Sequence, residues 1–106
     1  MQKKKMSVAE FKRQCAANPP QGVTLCADNQ PDGGAACPVR YSLSFSQLFV
    51  ELNPNAVYLK ERENCVWFNS VNYVLVQPEK TALGTAVDIV CSTATEKNAR
   101  YTLIIA

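Results

Sequence analysis

VYLKERENCVWFNSVNYVLV, residues Val57 to Val76, decides the fold. Three largely apolar runs, Val57-Tyr58-Leu59, Val66-Trp67-Phe68 and Val71 to Val76, follow one another, the first two separated by Lys60, the charged turn Glu61-Arg62-Glu63-Asn64 and Cys65, the last two by Asn69-Ser70. Branched and aromatic residues in short runs fit a pleated, half-buried surface. Parallel strands need a crossover of about a dozen residues, for which there is no room, so the runs predict antiparallel neighbours.

The pattern continues on both sides. Val39, Tyr41, Leu43 and Phe45 alternate with Arg40, Ser42, Ser44 and Ser46, the period-two signature of a strand with one buried face. At Leu48, Val50 and Leu52 the apolar parity switches, which predicts a bulge or turn near Ser46-Gln47, with a single helical turn over Gln47 to Leu52 as the competing reading. Asn53-Pro54-Asn55 makes a turn, and Pro78-Glu79-Lys80 with Gly84 a longer connection. Beyond it Val87, Ile89 and Cys91 alternate with Ala86, Asp88 and Val90, and Arg100 to Ala106 is the last strand. That final run is almost continuously apolar and would be an aggregation hazard at an edge. It is expected inside the sheet or at a subunit interface, with Leu103 and Ile105 facing the helix.

The helix is written at the start of the chain. In Met6-Ser7-Val8-Ala9-Glu10-Phe11, Ser7 is placed to cap the amide of Glu10, Glu10 to reach back to the amide of Ser7, and Met6 with Phe11 to form a hydrophobic staple. Asn18-Pro19-Pro20 ends the helix at about Ala17. Val8, Phe11 and Cys15 make a narrow apolar stripe, so the helix should lie on a sheet and leave Lys12 and Arg13 in water. The expectation is one α+β domain over residues 1–106, with a short N-terminal helix packed on a six- or seven-stranded antiparallel β-meander, a barrel-like closure being the alternative to an open sheet, and residues 1–6 as a flexible basic arm.

Composition bounds the rest. At 106 residues and 47% apolar the chain is long enough to fold around one core. The net charge of +2 divides unevenly: Lys3, Lys4, Lys5, Lys12 and Arg13 oppose Glu10 alone before residue 14, and six Lys/Arg face eight Asp/Glu after it. No run approaches the roughly 18 apolar residues of a membrane span, and the opening lacks the apolar segment of a secretory signal. With five cysteines, an odd number, reduced thiols and a cytoplasmic setting with no membrane partner are expected.

Cys26 to Cys37, CADNQPDGGAAC, asks whether it is a site. Counted as a calcium loop from Asp28 it offers Gln30, Asp32 and Gly33, but Val39 stands where a bidentate Glu is needed. The cysteines are scattered without a C-x-x-C pair, histidine is absent, and Gly33-Gly34 is not followed by Lys-Ser/Thr. No metal or cofactor is expected. A disulfide between Cys26 and Cys37 is the alternative to a plain solvated connection.

A chain without histidine has no Ser-His or Cys-His nucleophile and no His-metal site, and no other catalytic constellation is legible, so no enzyme is expected. Tyr58, Trp67 and Tyr73 are the candidates for contact with a protein or nucleoprotein partner, because exposed aromatics anchor interfaces. The alternative is a nucleic-acid accessory role using the arm, Lys3, Lys4, Lys5, Lys12 and Arg13, together with strand aromatics. By class analogy alone, a small non-enzymatic chain of this kind is expected to occlude a macromolecular partner. Phage- or mobile-element-encoded inhibitors of bacterial defence nucleoproteins, the anti-CRISPR proteins among them, work in that way. Association into a homodimer is also open.

Overall fold

The computed structural model describes residues 3–26, 42–80, 82 and 84–106. Among these residues nine strands and one helix follow in the order β1 (Lys4–Met6), α1 (Val8–Ala17), β2 (Val23–Cys26), β3 (Ser42–Phe45), β4 (Gln47–Glu51), β5 (Ala56–Glu61), β6 (Asn64–Asn69), β7 (Val71–Val76), β8 (Thr85–Cys91) and β9 (Ala99–Ile105). All pairings are antiparallel, as the short connections require.

The strands do not form one meander. They divide into a six-stranded sheet of order β1-β7-β8-β9-β2-β3 and a three-stranded sheet β4-β5-β6, neither closed into a barrel. The expected six or seven strands in one sheet are corrected on both counts. β1 and β2 are the two strands missed, because three or four residues are too few to show an alternation. Lys4–Met6, assigned to the basic arm by sequence, pairs with β7. Gln47–Glu51 is a strand and not a helical turn, and the parity switch at Ser46 marks where the chain leaves the large sheet for the small one. The chain returns at Ser70, which has a positive φ of 53°. Residues 27–41, with Asp28, Asp32, Cys37 and the alternatives raised for the Cys26 to Cys37 stretch, lie outside the described residues.

One core joins the elements. β4, β5 and β6 turn Val50, Val57, Leu59 and Phe68 inward, and the large sheet meets them with Val23, Phe45, Val74, Val87, Ile89 and Leu103. Phe68 and Tyr101 touch across the layers with ring centroids 5.1 Å apart. The helix contributes Val8 and Phe11, with Cys15 at the margin, and packs against β4 and β7, so it shares a layer with the small sheet. Lys12 and Arg13 are exposed, as the narrow stripe implies.

The helix start follows the sequence in part. Ser7 Oγ accepts from the Glu10 amide at 3.1 Å, Met6 and Phe11 both pack on the core, and Asn18 caps the C-terminus. Glu10, however, does not reach back to Ser7. Its carboxylate accepts from Arg13 at 2.6 Å and Gln14 at 3.2 Å. The Arg13 guanidinium first, then the Gln14 amide, hold it below the usual carboxylate range.

β9 sits between β8 and β2, so its apolar run is paired on both sides. Leu103 is wholly buried and Ile105 packs at the core margin. Gly84, just ahead of β8, has a φ of +136° and lies so close to the Ile105 carbonyl that a Cβ there would collide with it.

Two stability measurements check this account. Ser7→Ala removes the cap and should lower the unfolding free energy by about 1 kcal/mol, read from the denaturant midpoint at constant slope. Deleting Leu103 to Ala106 strips β8 and β2 of a shared partner and removes apolar side chains worth about 2 kcal/mol or more each when buried. The truncated chain should be insoluble or lack a cooperative melt.

Candidate functional site

The outer face of the small sheet carries the most unusual surface among the described residues. Alternation that sends Val50, Val57, Leu59 and Phe68 into the core must send Phe49, Tyr58 and Trp67 the other way. The register aligns them: Phe49 is opposite Tyr58, and Tyr58 opposite Trp67. Ring centroids are 4.8 Å apart for Phe49 and Tyr58 and 4.1 Å for Tyr58 and Trp67, with interplanar angles of 22° and 23°. Because these spacings are close to the strand separation of about 4.8 Å, the rings stand upright and stack along the line across the strands. Each end ring therefore keeps one unstacked face. Trp67 is 49% exposed and Phe49 37%, which sets them apart from the buried aromatics Phe11, Phe45 and Phe68.

The row has polar margins. Gln47, Lys60 and Cys65 line up on one side of it, Glu51 and Asn69 on the other, all exposed, with small, covered Ala56 between the last two. At its β6 end Trp67 borders an open cleft of about 390 Å³, lined also by Phe68, Tyr101, Ser92 and Thr93. An apolar centre with a polar rim suits contact with another macromolecule's surface.

Tyr58 and Trp67 are thus brought together as neighbours, whereas Tyr73 is not part of the row. It lies half-buried on β7 in the other sheet, with the Lys5 ammonium 4.3 Å from its ring centroid. Sequence reasoning missed Phe49. The signal was available, since the parity that turns Leu48 and Val50 inward turns Phe49 outward, but it counts only once Gln47–Glu51 is read as a strand.

The basic residues do not converge. Lys3 binds the Asp88 carboxylate at 2.6 Å, and Arg13 binds Glu10 at 2.6 Å. Lys4 and Lys5 are successive strand residues and so point to opposite faces of the sheet. Lys12 is exposed on the helix. Asp88 itself is 1% exposed on central strand β8 and also accepts from Thr102 Oγ1 at 2.9 Å, with Arg100 Nη1 at 3.9 Å. Its carboxylate is hydrogen-bonded within the fold, which accounts for a buried charge without a ligand.

The thiols differ sharply. Cys15, Cys26, Cys65 and Cys91 are free. Burial pushes the Cys15 and Cys91 thiols up to about 11. Burial, then the nearby Asp88 charge, raises Cys26. Cys65 alone of these four is exposed, beside Trp67 on the outer face. Among the described residues no three Cys, Asp or Glu side chains group to hold a metal ion, and no helix is long and apolar enough to cross a membrane.

No family model, no curated protein and no solved structure matches the chain.

The thiol environments give a direct check. A thiol held protonated is a poor nucleophile. At a pH of about 8 an alkylating reagent should modify Cys65 at least about tenfold faster than Cys15 or Cys91, by peptide mapping, and denaturant should erase the difference.

Proposed function

We propose that this chain is a non-enzymatic binding protein that occludes a macromolecular partner, docking it on the row Phe49, Tyr58 and Trp67. The observation that carries the reading is the row itself: three stacked rings on the outer face of a sheet, with both end rings more than a third exposed. Stacking fixes the rings before any partner arrives, so little side-chain freedom is lost on binding. Aromatic anchors at the centre of a surface with a polar margin are the groups that dominate interface energies.

Cation engagement favours a protein surface over a bare phosphate backbone as the partner. A nucleic-acid site needs lysines and arginines free and clustered. Here Lys3 and Arg13 are tied to carboxylates, Lys4 and Lys5 lie on opposite faces of the large sheet, and Lys12 stands on the helix. A nucleoprotein engaged through its protein component fits the same logic. Inhibition of a bacterial defence nucleoprotein by a phage- or mobile-element-encoded chain is the specific form we propose, on class analogy with small occluding inhibitors. Cytoplasmic action belongs to that proposal.

The experiment is affinity capture from cells that carry the gene, with the wild-type chain and with Phe49→Ala and Trp67→Ala as bait, at low and moderate salt. A docked partner should stay bound as salt rises, and each substitution should weaken it by roughly 30-fold, the effect of losing about 2 kcal/mol at a hot spot. Both variants should melt near the wild-type temperature, since the removed rings are on the surface. Capture that is unchanged in both variants, or that consists of nucleic acid released by moderate salt, would overturn the reading.

A further inference from the structure

Among the described residues no strand pairs with the outer edge of the small sheet, which opens on the cleft that Ser92 and Thr93 line. β6, Asn64-Cys65-Val66-Trp67-Phe68-Asn69, pairs only with β5 among the described residues and contains no charge, no proline and no register shift. Proteins commonly protect sheet edges with such features, because unpaired amides and carbonyls are a template for another strand. Two of the other edges show charge: β1 carries Lys4 and Lys5, and β4, at the far side of the small sheet, ends in Glu51, whereas β3, Ser42–Phe45, is short and as bare as β6.

The hairpin fixes which groups face outward. Glu61 and Asn64 close a two-residue turn in which Arg62 has a φ of 55°. The closing pair of such a turn is hydrogen-bonded, and bonded and non-bonded pairs then alternate. Asn64, Val66 and Phe68 therefore direct their main-chain groups to β5. Cys65, Trp67 and Asn69 direct theirs to the open side.

We infer that two copies of this chain associate through β6, paired antiparallel about a twofold axis at Trp67, so that their three-stranded sheets join into one. An axis at Trp67 matches the edge to its own copy through the residues whose main-chain groups face outward. Trp67 meets the second copy's Trp67, both with main-chain groups pointing outward, and the free indole faces close on each other. Val66 meets Phe68 of the second copy on the inner side, and Cys65 meets Asn69 on the outer side. A charge on the twofold axis would meet its own copy and repel it; β6 brings no charge to the seam. The aromatic row then runs unbroken through six rings. That doubling of the docking surface rests on the function proposed above, but the association does not, and it is measured on purified protein without any partner.

Sedimentation equilibrium from about 1 μM to about 1 mM chain should show mass rising to twice that of the monomer, the range in which a modest interface without other anchors self-associates. Trp67→Lys places two cations at the axis, and Cys65→Pro removes an outward amide; each should stay monomeric over the same range with a cooperative melt. Register is read separately by Asn69→Cys, an exposed change that leaves the β5 ladder intact. Under mild oxidation the introduced thiol should cross-link to Cys65 of the second copy, identified by mass spectrometry of the linked peptides, while the wild-type chain should not cross-link through Cys65. A monomer at every concentration, a dimer that persists in Trp67→Lys, or failure of Asn69→Cys to cross-link would each overturn the inference.

Discussion

The ladder between β8 and β9 is the pairing through which both ends of the chain enter the same sheet. β7 attaches to β8 and brings β1 with it, while β2 attaches to β9 and brings β3. Seven consecutive residue pairs, from Thr85 with Ile105 to Cys91 with Ala99, hold the two strands in register. Alternation then dictates what each face receives. Val87, Ile89 and Leu103 enter the core, and Asp88 and Thr102 emerge together on the opposite face. A carboxylate so deeply buried is tolerable because Lys3 and Thr102 complete its hydrogen bonds; a lone one would cost several kcal/mol. The same contact fastens the residue just before β1 to the middle of the sheet.

Two serines convert what could have been a single meander into two layers. Ser46 stands between β3 and β4, Ser70 between β6 and β7, and at each the chain passes from one sheet to the other. The hairpin pair β4-β5-β6 is thereby folded over the inner face of the large sheet, beside α1. A nine-stranded open sheet would need separate cover for one whole face. Doubling back lets the chain cover itself, and a single apolar core results.

The price of that arrangement falls on the outer face of the small sheet, which no described element covers. Phe49, Tyr58 and Trp67 meet this exposure by stacking on one another, which hides part of each ring and leaves the row's two ends open. The proposed docking role rests on that exposed apolar surface. The cysteines and cations point elsewhere, since Cys15, Cys26 and Cys91 are kept protonated by their surroundings and Lys3 and Arg13 are held by carboxylates.

By itself the sequence determined the local elements: the capped helix from Val8 to Ala17, seven of the nine strands, and their antiparallel sense. Each is encoded within a few residues, by Ser7 and Asn18-Pro19-Pro20 for the helix and by alternation with short turns for the strands. It also marked the place of the first sheet switch through the parity change at Ser46, without revealing that a second sheet lay beyond it. Only the tertiary structure decided which strands are neighbours, because pairing of β2 with β9 or β1 with β7 joins residues far apart in the chain and leaves no local trace. It likewise decided which aromatics are surface. Trp67 and Phe68 are adjacent in sequence and alike in hydrophobicity. Which of them is buried depends on which side of β6 the large sheet lies, and the chain settles that only when β8 and β9 close the core.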